Sequence, residues 1–491
     1  MRLSTCLLLA IGMIPSLSAP AQTAMTLQEF LGRVLEANQG LEVQRLEERV
    51  AEQQIIRETA IFDPILSTSA QYDESREQNT TEDFFRRNQL DLFEEKNGSL
   101  DIAVQGVFPT GTRYDVGYTV RRLRNSLDDL EKQYQAVTTF SLTQPLLQNR
   151  GVQITKARIH LAERDSEISG EELRSALVSA ISDAESTYWD LVLASRELSM
   201  RNESVAVAQK LLNDNRERHR LNKLAEVEVY QAETGLKVRQ TQYAAARQRL
   251  SETINRIRSL LSESSTSTAA KYSAADSPNA PAPNFDKDAV MLAAIEHNPD
   301  YSIQKLELEK SNIRLVVADN MRWPRLDLTA TYGQNGLDND SSQAHDFLVD
   351  DETHSWALLL EFQMAIGGRQ AHSELEAARL RKQQAILNLK RIEIELGNAV
   401  DTVLSRIESA HDQRNTFAEV VAFNEKLLED EQTLMASGKS DSRQVLEIEE
   451  ELFEAKQSEV RSRIDYQKAL LALATLQGTL LEERNITIDK E

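Results

Sequence analysis

Between Val152 and His219 the chain holds no proline and one glycine, Gly170. Apolar or small residues recur three or four apart through this stretch: Leu173, Leu177, Ala180, Ala184, Tyr188, Leu191, Ala194 and Leu198. That spacing predicts a single amphipathic helix, roughly 100 Å long at ~1.5 Å per residue. Globular helices average about three turns. A helix of this length either leaves the protein body or forms it.

The same pattern occurs twice. Phe140–Leu260 aligns without a gap on Trp356–Leu476, a constant offset of 216 residues. Gly151 falls on Gly367, Leu173 on Leu389, Leu191 on Ile407 and Leu236 on Leu452. Upstream, Asn38, Pro64, Leu66 and Tyr72 match Asn298, Pro324, Leu326 and Tyr332 at an offset of 260. The chain therefore reads as a tandem duplication, with about 44 additional residues between Tyr72 and Phe140 in the first half. Aromatic content is only 5% and Gly and Pro are scarce, which suits Ala/Leu seams between helices better than one large core. The formal net charge of −22 speaks against a nucleic-acid partner, because phosphate binding needs clustered Lys and Arg. The acidity reads as solvation of long exposed helices.

The first residues have the form of a secretory signal, 1–21, with Arg2, an apolar run Leu7–Ile14 and the cleavage pattern Ala19-Pro20-Ala21. The only cysteine is Cys6, early in that segment, so neither a disulfide nor a lipid anchor is expected. The first repeat is expected over 25–262, with helices at about 27–60, 152–219 and 226–262 and strands at about 64–73, 99–121 and 136–147. A Ser/Ala/Pro-rich linker covers 263–284. The second repeat spans 285–480, with helices at about 285–320, 369–436 and 442–477 and strands at about 326–335 and 354–365; a tail, 481–491, ends the chain. The strand assignments rest on period-two alternation, as in Leu66, Thr68, Ala70, Tyr72 against Ser67, Ser69, Gln71. The charged stretch Asp73–Asn97 reads as a loop, and Pro109-Thr110-Gly111 as a tight turn. The long helices reverse at Leu221–Ala225 and Ser437–Ser442, where Gly438 suits the residue just past a helix end.

No apolar run of the remaining chain reaches the roughly 18 residues of a membrane-spanning helix. Exported, alternating strands with long polar loops on one side carry the weak signature of an outer-membrane barrel. A few strands per repeat cannot close alone, and lipid forbids open edges. Three copies contributing two strands per repeat would give twelve strands, over a ring of twelve helices.

Several stretches together resemble the TolC-like outer-membrane efflux proteins over essentially the whole chain after the signal. They are Leu35-Glu-Ala-Asn38 and Ile295-Glu-His-Asn-Pro299 at the start of each copy, Phe140-Ser-Leu-Thr-Gln-Pro-Leu-Leu147, Tyr188-Trp-Asp-Leu191, the turn Gly438–Leu446, and Tyr466-Gln-Lys-Ala-Leu-Leu-Ala-Leu473. The resemblance implies a mostly α protein with membrane β. A duplicated strand-strand-long-helix-helix unit would form a trimeric β-barrel joined to an α-helical barrel. It further implies a homotrimeric exit duct in outer-membrane lipid, extending into the periplasm. Such a duct works with a periplasmic adaptor and an inner-membrane pump of an efflux or type I secretion system. The alternative is a periplasmic coiled-coil adaptor or scaffold, which would lack the paired strands before each long helix.

By the same resemblance the helical turns form the periplasmic entrance. The matching positions are Glu228 in the first copy and Met435, Ser440, Gln444 and Glu447 in the second. The family's polar link of an aromatic, an Arg and an Asp is replaced here by Met435, Ser440 and Gln444. Rings of Glu228 and Glu447 would still focus field into a narrow mouth and favour cations. Leu224, Ala225 and Gly438 form the expected adaptor-facing tip. No catalytic constellation is present: the seven His are scattered, without metal-ligand spacing, and no phosphate loop occurs, so neither enzyme, metal nor cofactor is expected. Glu449, Glu450 and Glu451 read as solvated helix-face residues, and Tyr188 and Trp189 as seam packing. The extra segment leaves two readings for its hairpin, Leu100–Arg121: crossing the membrane, or projecting outside it. Matching strand number to helix number favours projection.

Overall fold

The structure, a computed structural model, describes residues 22–128, 131–263, 271–282, 284–348, 353–437 and 439–486. The expected signal peptide, Gly438 and the last residues of the tail lie outside the described residues. In chain order come β1 (Gln22–Met25), α1 (Leu27–Ala37), α2 (Gln39–Thr59), β2 (Ile65–Gln78), α3 (Thr81–Arg86), β3 (Leu92–Val107), β4 (Arg113–Leu123), β5 (Gln133–Pro145), α4 (Val152–Thr155), α5 (Ala157–Arg220) and α6 (Glu226–Leu260). After them lie β6 (Lys271–Ala274), α7 (Lys287–His297), α8 (Pro299–Met321), β7 (Arg325–Asp338), α9 (Ser341–Asp346), β8 (His354–Gln363), α10 (Arg369–Ala436), α11 (Ser442–Gln477) and α12 (Leu480–Glu483).

Local chemistry sets the boundaries. Thr26 and Glu29 form a reciprocal capping box at the start of α1. Asn38 separates α1 from α2, and its side-chain oxygen accepts the N–H of Gly40. Gly151 and Gly367 take φ of 96° and 93° at the equivalent entries to the long helices, a conformation that suits glycine. The first long helix has a break at Lys156, so it runs unbroken only from Ala157. Helices α5 and α6 match α10 and α11 at the offset of 216 to within a few residues at every end, while β2 and α3 match β7 and α9 at the offset of 260.

The chain divides into two compact units. The unit made of Arg45–Glu172 and Asp300–Ile392 contains one antiparallel sheet of six strands in the order β2-β3-β4-β5-β7-β8. A single row crosses all six strands: Leu66, Val104, Val116, Phe140, Tyr332, Trp356. The adjacent row, on the opposite face, is Ser67, Ala103, Gly117, Thr139, Gly333, Ser355. One face is thus apolar and the other small or polar, as the alternation of Cβ directions requires.

Two expectations change here. The hairpin β3–β4 does not project: it is hydrogen-bonded on both sides, to β2 and to β5, within the sheet. Its turn lies at the helix-bearing end, where the N–H of Gly151 donates to the carbonyl of Thr110 at 3.2 Å. The strands also run into the charged stretch Asp73–Asn97 instead of leaving it as a loop, with β2 reaching Gln78 and β3 starting at Leu92. There Lys96 bridges Glu74 on the facing strand at 2.9 Å and Glu94 on its own strand at 2.8 Å, so opposite charges pair across and along the strands.

The other unit holds the main apolar core, in which Phe30, Val34, Ile181, Ala184, Tyr188, Leu191, Ile257 and Leu480 are fully or almost fully buried. Sequence alternation did not reveal β1 and β6, which pair in parallel from Gln22–Lys271 to Met25–Ala274. Tyr188 ties them down. Its hydroxyl contacts the carbonyl of Met25 at 2.9 Å and the carboxylate of Asp276 at 2.7 Å, and accepts the N–H groups of Ala275 and Asp276. Burial and the Asp276 carboxylate push this phenol up to about 12. Nearby, the guanidinium of Arg484 meets both oxygens of buried Glu185 at 2.8 Å.

Candidate functional site at the helix turns

Both helix reversals belong to the unit with the main core. The first is closed by Asn222, which takes φ 58°, and by the N–H of Lys223 donating to the carbonyl of Arg218 at 2.9 Å. Asn tolerates this left-handed conformation better than other non-glycine residues. The His219 Nδ1–H donates to the carbonyl of Leu224 at 2.9 Å, and Ala225 precedes the first turn of α6 in extended conformation. In the second reversal Asp441 caps α11 by accepting the N–H of Gln444 at 2.9 Å. Ser440 donates its hydroxyl to Glu431 of α10.

A small apolar core holds the two reversals together. Ala208, Leu211 and Leu212 of α5 and Ala232 and Leu236 of α6 are buried, and Val205, Val229, Met435 and Leu446 pack against them. Met435 therefore fills this core. A Cβ on Gly235 would stand 2.9 Å from a methyl of Leu446, so the glycine permits close approach of α6 and α11. Glu228 is half-buried: one carboxylate oxygen is enclosed without a hydrogen-bond partner, and its carbonyl accepts from Asn215 at 3.2 Å. Glu447 is exposed and pairs with Arg443 at 3.5 Å. The two glutamates thus differ: Glu447 has a cation beside it, and Glu228 has none within bonding distance among the described residues. Leu224 and Ala225 lie in the turn itself, Leu224 half-exposed and Ala225 exposed.

Just beyond this core runs a buried polar layer that the sequence reading assigned to solvent. Arg239, only 5% exposed, donates to Ser204 at 3.1 Å, to the carbonyl of Leu446 at 3.0 Å and to Glu449 at 3.3 Å. Arg201 donates to Gln242 at 2.9 Å and to Glu450 at 3.0 Å, and covers the Phe453 ring. Burial pushes the Glu449 carboxyl above the usual carboxylate range, against the pull of Arg239. Only Glu451 of the three consecutive glutamates is exposed. The missed signal was positional: Glu449 shares a stripe with Val445, Ile448, Leu452 and Phe453, and Arg239 one with Ala232 and Leu236. Among the described residues no group of His, Cys, Asp and Glu could hold a metal ion.

Comparison with known proteins agrees with this architecture. Residues 291–479 match the family model described as outer membrane efflux protein. No curated protein matches by sequence. Solved structures match over nearly the whole chain. The outer-membrane channel OprN is 14% identical, with 92% of this chain and 90% of that one covered and a TM-score of 0.68. CusC, whose structures concern transmembrane channel formation, is 16% identical, with 94% and 95% covered and a TM-score of 0.66. The CmeC outer-membrane channel of Campylobacter jejuni is 15% identical, with 97% and 95% covered and a TM-score of 0.63. The antiparallel sheet and the duplicated pairs of long helices are the fold of these outer-membrane channels. Residues 291–479 thus match the outer membrane efflux protein family, and the chain as a whole shares the fold of these channels.

Proposed function

We propose that three copies of this chain form one passive exit duct, docked through its helix turns on a periplasmic adaptor and an inner-membrane pump. The observation that carries the trimer is the state of the sheet edges. Among the described residues, edge strands β2 and β8 have no partner on their outer sides, and their apolar residues are bare, Leu66 at 68% and Trp356 at 70% exposure. Unpaired backbone groups in lipid cost several kcal/mol each. Strand directions alternate through the sheet, so β8 of one copy meets β2 of the next antiparallel and the edges vanish on closure. A second seam supports it: Leu380, Leu387 and Ile394 recur every seventh residue of α10 and are 57–66% exposed. A coiled-coil-like partner helix fits that period.

Within this reading, Glu228 and Glu447 line the entrance, and Leu224, Ala225 and Gly438 meet the adaptor. Glu228 is the stronger gate residue, because its carboxylate is neither ion-paired nor fully solvated. Outer-membrane fractionation and trimers that persist in mild detergent test the assembly; monomers in the soluble fraction would defeat it. For the entrance, E228Q/E447Q in planar bilayers is expected to lower cation selectivity. Unchanged selectivity removes the two residues from the gate.

A further inference from the structure

The two halves of the sheet are unequal. In the second half, β7 and β8 are direct neighbours, joined through α9. Their counterparts in the first half are β2 and β5, and between these stand β3 and β4. The hairpin is therefore an insertion in the loop after α3, placed where the duplication leaves about 44 extra residues. Building on the trimeric reading, we infer that this hairpin is a membrane-spanning wall segment that widens the barrel from twelve strands to eighteen. The outer-membrane duct of this chain thus admits bulkier cargo than an uninserted relative.

Three observations carry it. First, the hairpin obeys both faces of the sheet. Val104 and Val116 continue the apolar row, Ala103 and Gly117 the small row, and neither row is interrupted. A hairpin lying outside lipid has no reason to keep Leu100, Ile102, Tyr118 and Val120 on the same face as Phe140 and Tyr332. Second, its turn is anchored at the helix-bearing end by Gly151 and Thr110, and a Cβ on Gly111 would stand 2.8 Å from the carbonyl oxygen of Asn149. The strands therefore run the full height of the sheet.

Third, eighteen strands close with sensible geometry. The junction between the two halves pairs Phe140 of β5 with Tyr332 of β7. By the duplication, the equivalent junction between copies pairs Trp356 with Tyr72 of the partner subunit. Within one copy the row ending at Trp356 begins at Leu66, six residues short of Tyr72. Three such shifts stagger the barrel by eighteen residues for eighteen strands. With a rise of ~3.3 Å and a strand spacing of ~4.8 Å, that tilts the strands by about 35°, inside the usual range for membrane barrels. Diameter grows roughly linearly with strand number, so the lumen is about half again as wide as a twelve-stranded one.

The test places single cysteines in full-length chain carrying C6S, since Cys6 is the only native cysteine. A103C and T119C are expected to react with a water-soluble maleimide in purified trimers, and I102C and V120C to stay unlabelled. T110C is expected to be silent in intact cells and labelled once the outer membrane is permeabilised. Blocking the unmodified trimer with polyethylene glycols from the outer side should give a cut-off radius about 1.5-fold that of a twelve-stranded barrel. Labelling of T110C in intact cells, equal labelling of A103C and I102C, or a twelve-strand cut-off overturns the insertion while trimers persist. Loss of trimers in the C6S parent instead overturns the assembly on which it rests.

Discussion

Helices α5 and α10 descend from one ancestral segment and are 64 and 68 residues long, yet they bury different fractions of themselves. The stripe of α5 is covered within its own chain: Leu173, Leu177, Ile181, Ala184, Tyr188 and Leu191 are all at or below 4% exposure. On α10, Leu380, Leu387, Ile394 and Phe423 stand 57–72% exposed. At the matching positions of α5, Leu380 and Leu387 are replaced by Arg164 and Glu171, and Arg164 is ion-paired to Glu167 and Glu309. Duplication supplied one element twice, and substitution then gave the first copy the chain's own core and left the second an exposed apolar face.

The largest expected effect breaks the closed side of this comparison. R239A strands Glu449 without its cation, and unpairing a buried ion pair costs about 3–5 kcal/mol; urea or thermal unfolding of the helical signal measures it. Glu233, which matches Glu449 at the offset of 216, pairs with Arg216 at the surface, so R216A should cost at most ~1 kcal/mol. Next, L212A empties part of the core at the turns and should cost about 2–5 kcal/mol. The paired L380S/L387S change on the open helix should leave monomer helicity intact and lower trimer yield in detergent. Monomer unfolding as severe as that of L212A would mean that α10 is covered within its own chain after all. Y188F removes a hydroxyl that serves both β1 and β6 and should cost about 1–3 kcal/mol.

The smallest effect is a pH dependence. Burial raises the Glu449 carboxyl in the folded chain, so folding takes up a proton there. Its contribution is greatest below the ordinary glutamate range and fades as pH rises through the folded value. E449Q should flatten that part of the melting-temperature profile above pH 4.5, and a profile identical to that of the unmodified chain would show that Glu449 does not titrate there.

Long-range periodicity made much of this legible. The two long helices, their reversals, the offset of 216 and the alternating strands all follow from spacing, because each is a local pattern repeated often enough to outweigh exceptions. What depended on partners distant in sequence was not legible. Strand ends carrying Glu74, Glu94 and Lys96 look like loop until their charges meet across the sheet. β1 and β6 are four residues each and hold together only because Tyr188 bridges them. At the turns, Glu228 and Glu447 stand near the starts of α6 and α11, but sequence could not tell that Glu447 would find Arg443 beside it. Met435 looked like a replaced gate residue, and the structure puts it in apolar packing.

The clasp at Tyr188 has a consequence for the order in which the chain can be built. Its hydroxyl meets Met25 of β1 and the N–H groups of Ala275 and Asp276 from beyond the first repeat. Asp276 in turn accepts the N–H of Leu27 at 2.7 Å. A nascent chain that has completed α6 has every helix of its first repeat but offers this phenol only the Met25 carbonyl, one of its four partners. The clasp of the first repeat is therefore complete only once the chain extends past Asp276. A gene encoding residues 25–262 alone would yield a chain that lacks these contacts and the β1–β6 pair.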